Sequence, residues 1–176
     1  LGDDSVGALL TITKTNIDRL REVIDEYVRL GFSSVFLRSL NPYGYAQKKT
    51  GERLQYSTDE FVAAYKDALA HIVDLNINGK PFAESFSAIL LTRILTPFAT
   101  GFVDLQSPTG AGILGVIYDH DGGVYPCDEG RMLAAMGDSH FCLGNVRENT
   151  YREIFLHRKL QKIIAASCVE TIPGCH

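Results

Sequence analysis

The chain has 176 residues, 45% of them hydrophobic and 22% charged, enough for one good core or for two small modules sharing one, and ordinary for a soluble globular protein. With 17 Lys and Arg against 21 Asp and Glu the net charge is −4, and no basic tract exceeds Lys48-Lys49, so a nucleic-acid backbone is excluded as the expected partner. No apolar run approaches the roughly eighteen residues that cross a bilayer, and residues 1–5 have neither the basic nor the apolar region of a secretory leader, so no membrane partner and a cytoplasmic location are expected.

Residues 6–13 read as a buried strand, apolar on both faces near its start. Asn16 is placed to cap a helix, in which Ile17, Leu20, Val23, Ile24, Tyr27 and Val28 recur at helical spacing until Gly31 stops it. Residues 34–40 form a second strand, and strand, helix and strand in so short a span predict a right-handed parallel βαβ unit. Two parallel strands cannot bury both faces of a sheet, so this unit implies further strands, expected to lie outside this chain. Ser57-Thr58-Asp59-Glu60 is a capping box opening a helix with Phe61, Val62, Tyr65, Leu69, Ile72 and Val73 on its apolar side, ending near Gly79. Pro81 is read as starting another, with Phe82, Phe86, Ile89, Leu90 and Ile94 on one side until Pro97. The two helices are expected to form a connector packed on the βαβ layer.

Residues 115–118 make a short β-branched strand, Asp121-Gly122-Gly123 supplies a tight hairpin, and Val124 and Tyr125 begin the return. Pro126 has no N–H to donate, so it ends the ladder and turns Cys127 out of the sheet. On spacing alone a buried, inert cysteine accounts for Cys127 better than a ligand does, because a cluster or tetrahedral site needs about four donors and no Cys-x2-Cys occurs. The four cysteines, 127, 142, 168 and 175, all lie in the last third, and without a leader they read as metal ligands or free thiols rather than disulfides. After Gly144-Asn145, Thr150 caps a last helix through Ile154, Phe155, Leu160, Ile163 and Ile164. There is no internal repeat. The start without Met and the stop one residue after Cys175 read as cuts, so a piece of a longer protein is expected.

In order, Thr11 to Asn16, Leu37 to Gly44, the Asp121-Gly122-Gly123-Val124-Tyr125-Pro126-Cys127 run, Leu143-Gly144-Asn145-Val146 and the final helix resemble the C-terminal part of a radical S-adenosylmethionine enzyme with a SPASM-type auxiliary domain. The resemblance is greatest to the peptide maturase of the His-Xaa-Ser system, in the group that includes anaerobic sulfatase-maturating enzymes. It implies an α/β fold: the closing βαβ of a partial (β/α)6 TIM-like barrel in residues 1–50, a helical connector in 51–100, and a small α+β SPASM-like module with a β-hairpin, cut short, in 101–176.

The resemblance further implies that the intact enzyme cleaves S-adenosylmethionine to a 5′-deoxyadenosyl radical, takes hydrogen from a peptide or protein substrate, and carries auxiliary iron-sulfur clusters. Cys127 and Cys175 would be cluster ligands. Thr11, Thr13, Arg38, Leu40 and Asn41, at the C-terminal strand ends where barrel sites lie, would border the adenosine and substrate. Two departures stand out. The Cys-x3-Cys-x2-Cys loop of the radical-generating cluster is missing, which makes this piece inactive and without bound cofactor by expectation. Thr109 stands near the place of an auxiliary-site cysteine, and a hydroxyl is a poor donor to a soft metal. For Arg38 the plain alternative is pairing with a carboxylate. For Cys142 and Cys168 it is a core or free thiol, and for His120 a solvated turn. A rival reading from another class is a non-enzymatic zinc-binding or protein-interaction module built on the four cysteines, with His140 or His176 joining.

Overall fold

The computed structural model describes residues 6–41, 43, 46 and 52–173. The chain divides into two compact units, residues 1–96 and 97–176.

The first unit is a parallel sheet of three strands in sequence order, β1 (Ala8–Thr11), β2 (Ser34–Arg38) and β3 (Ala83–Glu84). Helices α1 (Leu20–Arg29) and α2 (Thr58–Ile77) are the two crossovers, and α3 (Ser85–Leu95) follows β3 directly. Asn16 does not cap α1. A turn of 3-10 helix, Ile17–Arg19, comes first, and the Asn16 amide turns back to the strand, its Oδ1 accepting from Thr13 N–H at 2.7 Å and its Nδ2 donating to Thr11 C=O at 3.1 Å. The capping box of α2 is complete, the Ser57 hydroxyl accepting from Glu60 N–H at 3.1 Å while the Glu60 carboxylate accepts from Ser57 N–H at 2.8 Å.

The segment read as a helical connector carries a third strand, so the sheet gains a strand within the chain where further strands were expected only outside it. Pro81 does not open a helix; Ser34 pairs with Ala83 and Val35 with Glu84, and the helix begins at Ser85. Pairing with β2, not local propensity, makes these residues a strand, which is why helical spacing was the wrong guide there. Ile12, Ile24, Val35 and Leu37 are fully buried, and each contributes about 1.5–3 kcal/mol of apolar burial. They join Ala8, Ile17, Leu20, Ala68, Ile72 and Phe82 in one layer between the sheet and its helices. The alternate residues, Leu9, Thr11, Phe36 and Arg38, stand on the opposite face.

The second unit is built on an antiparallel sheet, β4 (Ile117–Tyr118), β5 (Gly123–Tyr125) and β6 (Gly144–Asn145), with β5 in the middle. Gly122 closes the turn between β4 and β5, its N–H on Asp119 C=O at 2.9 Å. Its φ of +90° favours glycine, and a Cβ there would lie 2.7 Å from Asn145 Oδ1. Gly144-Asn145 is itself the third strand. Helix α4 (Asp128–Ala135) follows the hairpin, and the single last helix expected from periodicity is two, α5 (Tyr151–Phe155) and α6 (Arg158–Ala166), because His157 breaks the run and caps the second. The core is Val124, Leu143, Ile154 and Leu160. Among the described residues no helix is long and apolar enough to cross a membrane.

Candidate functional site

At the C-terminal edge of the parallel sheet Thr11 and Arg38 are register partners and share one face. The other three predicted edge residues lie past the strand ends and are fixed through their backbones or by local turns. Thr13 N–H is held by Asn16 and its hydroxyl meets Thr15 at 2.8 Å. Leu40 N–H donates to the Tyr56 hydroxyl at 2.6 Å, and Asn41 Oδ1 accepts from Tyr43 N–H at 3.0 Å. Arg38 is exposed, and among the described residues its guanidinium has neither hydrogen bond nor ion pair. The carboxylate pairing that was its plain alternative is therefore not made there. Beside it Phe36 packs on Phe86, ring centroids 5.6 Å apart.

The same edge holds a residue that sequence reading missed. Glu84 is 4% exposed, the one buried charged side chain among the described residues. Its carboxylate accepts from Leu37 N–H at 3.0 Å, where β3 has ended and can offer β2 no further carbonyl, and from Phe86 and Ser87 N–H at the start of α3. Tyr65 donates its hydroxyl to the same carboxylate. Burial, and then that carboxylate, push the Tyr65 hydroxyl far above its ordinary pKa. The available signal was a charged residue immediately ahead of a helical run, the position of an N-cap.

In the second unit Pro126 is fully buried and its C=O accepts from Gly112 N–H at 2.9 Å. Cys127 follows as the residue before the first turn of α4, half-buried, with no disulfide. Burial pushes its thiol up, against the pull of the Gly130 amide and with the Glu129 carboxylate adding to the rise. A cation at the sulfur would reverse that balance. Cys142 directs its thiol to Gly144 C=O at 3.6 Å and Cys168 to Ile164 C=O at 3.8 Å. His120 lies in the exposed turn and shares a hydrogen bond with Asp119 at 2.9 Å, which raises its pKa. His140 packs edge-on against Phe141. Thr109 is engaged in local structure, its hydroxyl donating to Val103 C=O at 3.2 Å and its N–H to Ser167 Oγ at 3.1 Å. Cys175 and His176 lie outside the described residues. Among the described residues no three His, Cys, Asp or Glu side chains converge to hold a metal ion. Cys127 is there a single donor, which does not fit a cluster needing about four.

Residues 115–176 match SPASM, an iron-sulfur cluster-binding domain. No curated protein matches in sequence. Among solved structures, native anSMEcpe with bound AdoMet superposes with a TM-score of 0.63 at 20% identity, over 90% of this chain and 40% of that one. The same protein with AdoMet and the Cp18Cys peptide gives a TM-score of 0.67 at 20% identity, over 90% of this chain and 41% of that one. The chain thus spans about two fifths of the length of these structures. Over nine-tenths of its residues it has the fold of part of anSMEcpe, and over residues 115–176 it carries the SPASM sequence pattern.

Proposed function

We propose that this chain is part of a radical S-adenosylmethionine maturase acting on a peptide or protein, with the first unit closing a partial (β/α)6 barrel and the second forming the auxiliary SPASM module. The observation that carries the reading is the conjunction of two independent likenesses: a SPASM pattern confined to the second unit, and a fold shared across both units with a protein solved with AdoMet and with peptides. In this reading Thr11, Thr13, Arg38, Leu40 and Asn41 border the bound cosubstrate and substrate, and Cys127 and Cys175 serve the auxiliary cluster. S-adenosylmethionine supplies, when bound, the carbon radical that takes hydrogen from the substrate.

The chain's own share is binding and orientation. Arg38, without a partner among the described residues, offers a planar fork to a carboxylate on the bound molecule. Thr11 beside it offers a hydroxyl, and Phe36 and the exposed Leu9 add apolar surface on the same face. Glu84 is a positioning residue, locking β2 at Leu37, one residue before Arg38. No cluster step is derived, because the described donors are too few.

The reading of the whole protein as a His-Xaa-Ser-type maturase in the cytoplasm, and of this piece as inactive alone, belongs to the same proposal. Its test is the parent open reading frame, which must carry Cys-x3-Cys-x2-Cys upstream and continue Cys175 into a cysteine group downstream; absence of either would sink it. For the chain itself, metal analysis after anaerobic purification is expected to find no stoichiometric iron or zinc. Stoichiometric zinc would favour the zinc-module reading instead.

A further inference from the structure

We propose that the groove between α6 and the His140-Phe141 turn is a docking site for an acidic, partly apolar segment of a protein partner. The groove encloses about 590 Å³ and no carboxylate lines it. Phe141 and Ile163 form its apolar floor, and His140, His157, Arg158 and Lys162 stand around it. The second unit as a whole has more acids than Lys and Arg, yet half of its Lys and Arg side chains fall within residues 158–162.

The local arrangement works against helix stability in two ways. Helix α6 has Arg158 and Lys159 in its first turn and no acid there, the reverse of what the helix dipole favours. Arg158 and Lys162 sit one turn apart on the same side, a like-charge pair that repels. Lys159 is accounted for, its ammonium donating to Cys142 C=O at 2.7 Å. Arg158 and Lys162 have no acceptor among the described residues. By contrast both arginines of α1 are paired, Arg21 with Asp67 and Arg29 with Glu26.

A ligand with two carboxylates flanking an apolar side chain satisfies every part of this groove. Its carboxylates would reach Arg158, as a planar fork, and Lys162, and the side chain between them would cover Phe141 and Ile163. A long polyanion fits less well, because the rest of the chain is net acidic and repels it. This inference stands apart from the iron-sulfur reading and uses none of its residues.

The test uses a fluorescein-labelled Glu-Glu-Leu-Phe-Glu-Glu peptide, followed by anisotropy on the whole chain. Saturable binding is expected, weakened about tenfold or more by Arg158→Glu and unchanged by Arg147→Glu, which lies outside the groove. A Lys-Lys-Leu-Phe-Lys-Lys peptide should not bind. Arg158→Glu should also melt at a higher temperature, since it turns the repulsion with Lys162 into an attraction one turn apart and places an acid in the first turn of α6, so lost binding cannot be ascribed to unfolding. The proposal is overturned by absence of saturable binding, by equal loss with Arg147→Glu, by a single-stranded oligonucleotide competing as well as the peptide, or by a lower melting temperature of Arg158→Glu.

Discussion

In residues 1–96 the strands share one continuous apolar layer with α1 and α2, from Ile12 and Ile24 to Leu37 and Ile72, whereas among the described residues of 97–176 the buried cluster is four side chains, Val124, Leu143, Ile154 and Leu160. The second unit fixes its turns with polar side chains and close-packed glycines instead. Asn149 Oδ1 accepts from Asn145 N–H at 2.9 Å, Asn145 Nδ2 donates to Asp121 C=O at 3.0 Å, and Asp121 Oδ1 accepts from Gly123 N–H at 2.8 Å. A Cβ on Gly130 would lie 2.9 Å from that of Phe141, and one on Gly144 2.7 Å from Asn149 Oδ1. An apolar layer accepts many side chains of suitable volume, but a turn that needs Gly, Asn or Asp at a fixed place does not. The family match in sequence falls within the second unit, and the fold likeness covers 90% of the chain.

The comparison breaks at Glu84, where the first unit too depends on one polar side chain. Glu84→Ala would leave Leu37 N–H and Ser87 N–H without their acceptor inside the layer, the Tyr65 hydroxyl keeping only Ser87 Oγ at 2.7 Å, and should cost about 3 kcal/mol in urea unfolding. Glu84→Gln keeps the shape and one acceptor oxygen and should lose clearly less. A loss under about 1 kcal/mol for the alanine variant would show that water or another group takes over.

Next in size are glycine substitutions that separate crowding from backbone strain in the second unit. Gly137 has φ of +100° with nothing within 4 Å of a built Cβ, whereas Gly122 has φ of +90° and Asn145 Oδ1 at 2.7 Å. Gly137→Ala should cost about 1 kcal/mol through strain alone, and Gly122→Ala about 2–3 kcal/mol because Asn145 must also move. Equal losses in thermal unfolding would mean the turn yields and the polar clamp is not what holds it.

The sequence was most readable where periodicity and caps act locally. α1 and α2 follow from their apolar spacing and the Ser57 capping box, and the parallel pairing of β1 with β2 follows from the βαβ spacing. β3 was not readable, because two residues behind a proline become a strand only through β2. α4 was missed because Gly130 interrupts it and no apolar stripe announces it; the glycine is there so that Phe141 can approach. Legible from sequence were the places of Thr11 and Arg38 at strand ends in the first unit and, in the second, of Cys127 directly behind the proline that ends β5. Glu84 escaped because its role is set by hydrogen bonds that span 47 residues between Leu37 and Glu84.

A smaller effect comes from two capping boxes of the same design on helices of very different length. Ser57 caps α2, of 20 residues, and Thr150 caps α5, of 5. Removing either hydroxyl, as Ser57→Ala or Thr150→Ala, should cost about 1 kcal/mol globally. Native-state hydrogen exchange should nonetheless differ: Ser57→Ala should speed exchange in the first turn of α2 alone, and Thr150→Ala throughout α5, which has no interior to fall back on. Exchange confined to one turn in both would mean that burial of Ile154 alone holds α5.

The smallest effect concerns the exposed pair between Lys14 and Glu60, which ties the turn after β1 to the start of α2. The Lys14 ammonium, then the Ser57 N–H and hydroxyl, lower the Glu60 carboxyl from its ordinary 4.5 to about 2. Since the folded value lies below the unfolded one, the contribution to stability is present above about pH 4.5 and is lost as the pH falls toward about 2. Carbon-13 titration of the Glu60 carboxyl should show this depression, and Lys14→Met should move the midpoint back up while leaving it below the ordinary value, since the Ser57 bonds remain. Added salt should raise the midpoint in the parent chain and much less in the variant, because only the exposed ion pair is screened. A parent midpoint at the ordinary value would show that Lys14 and Glu60 do not hold each other in solution, and that the cap alone fixes the start of α2.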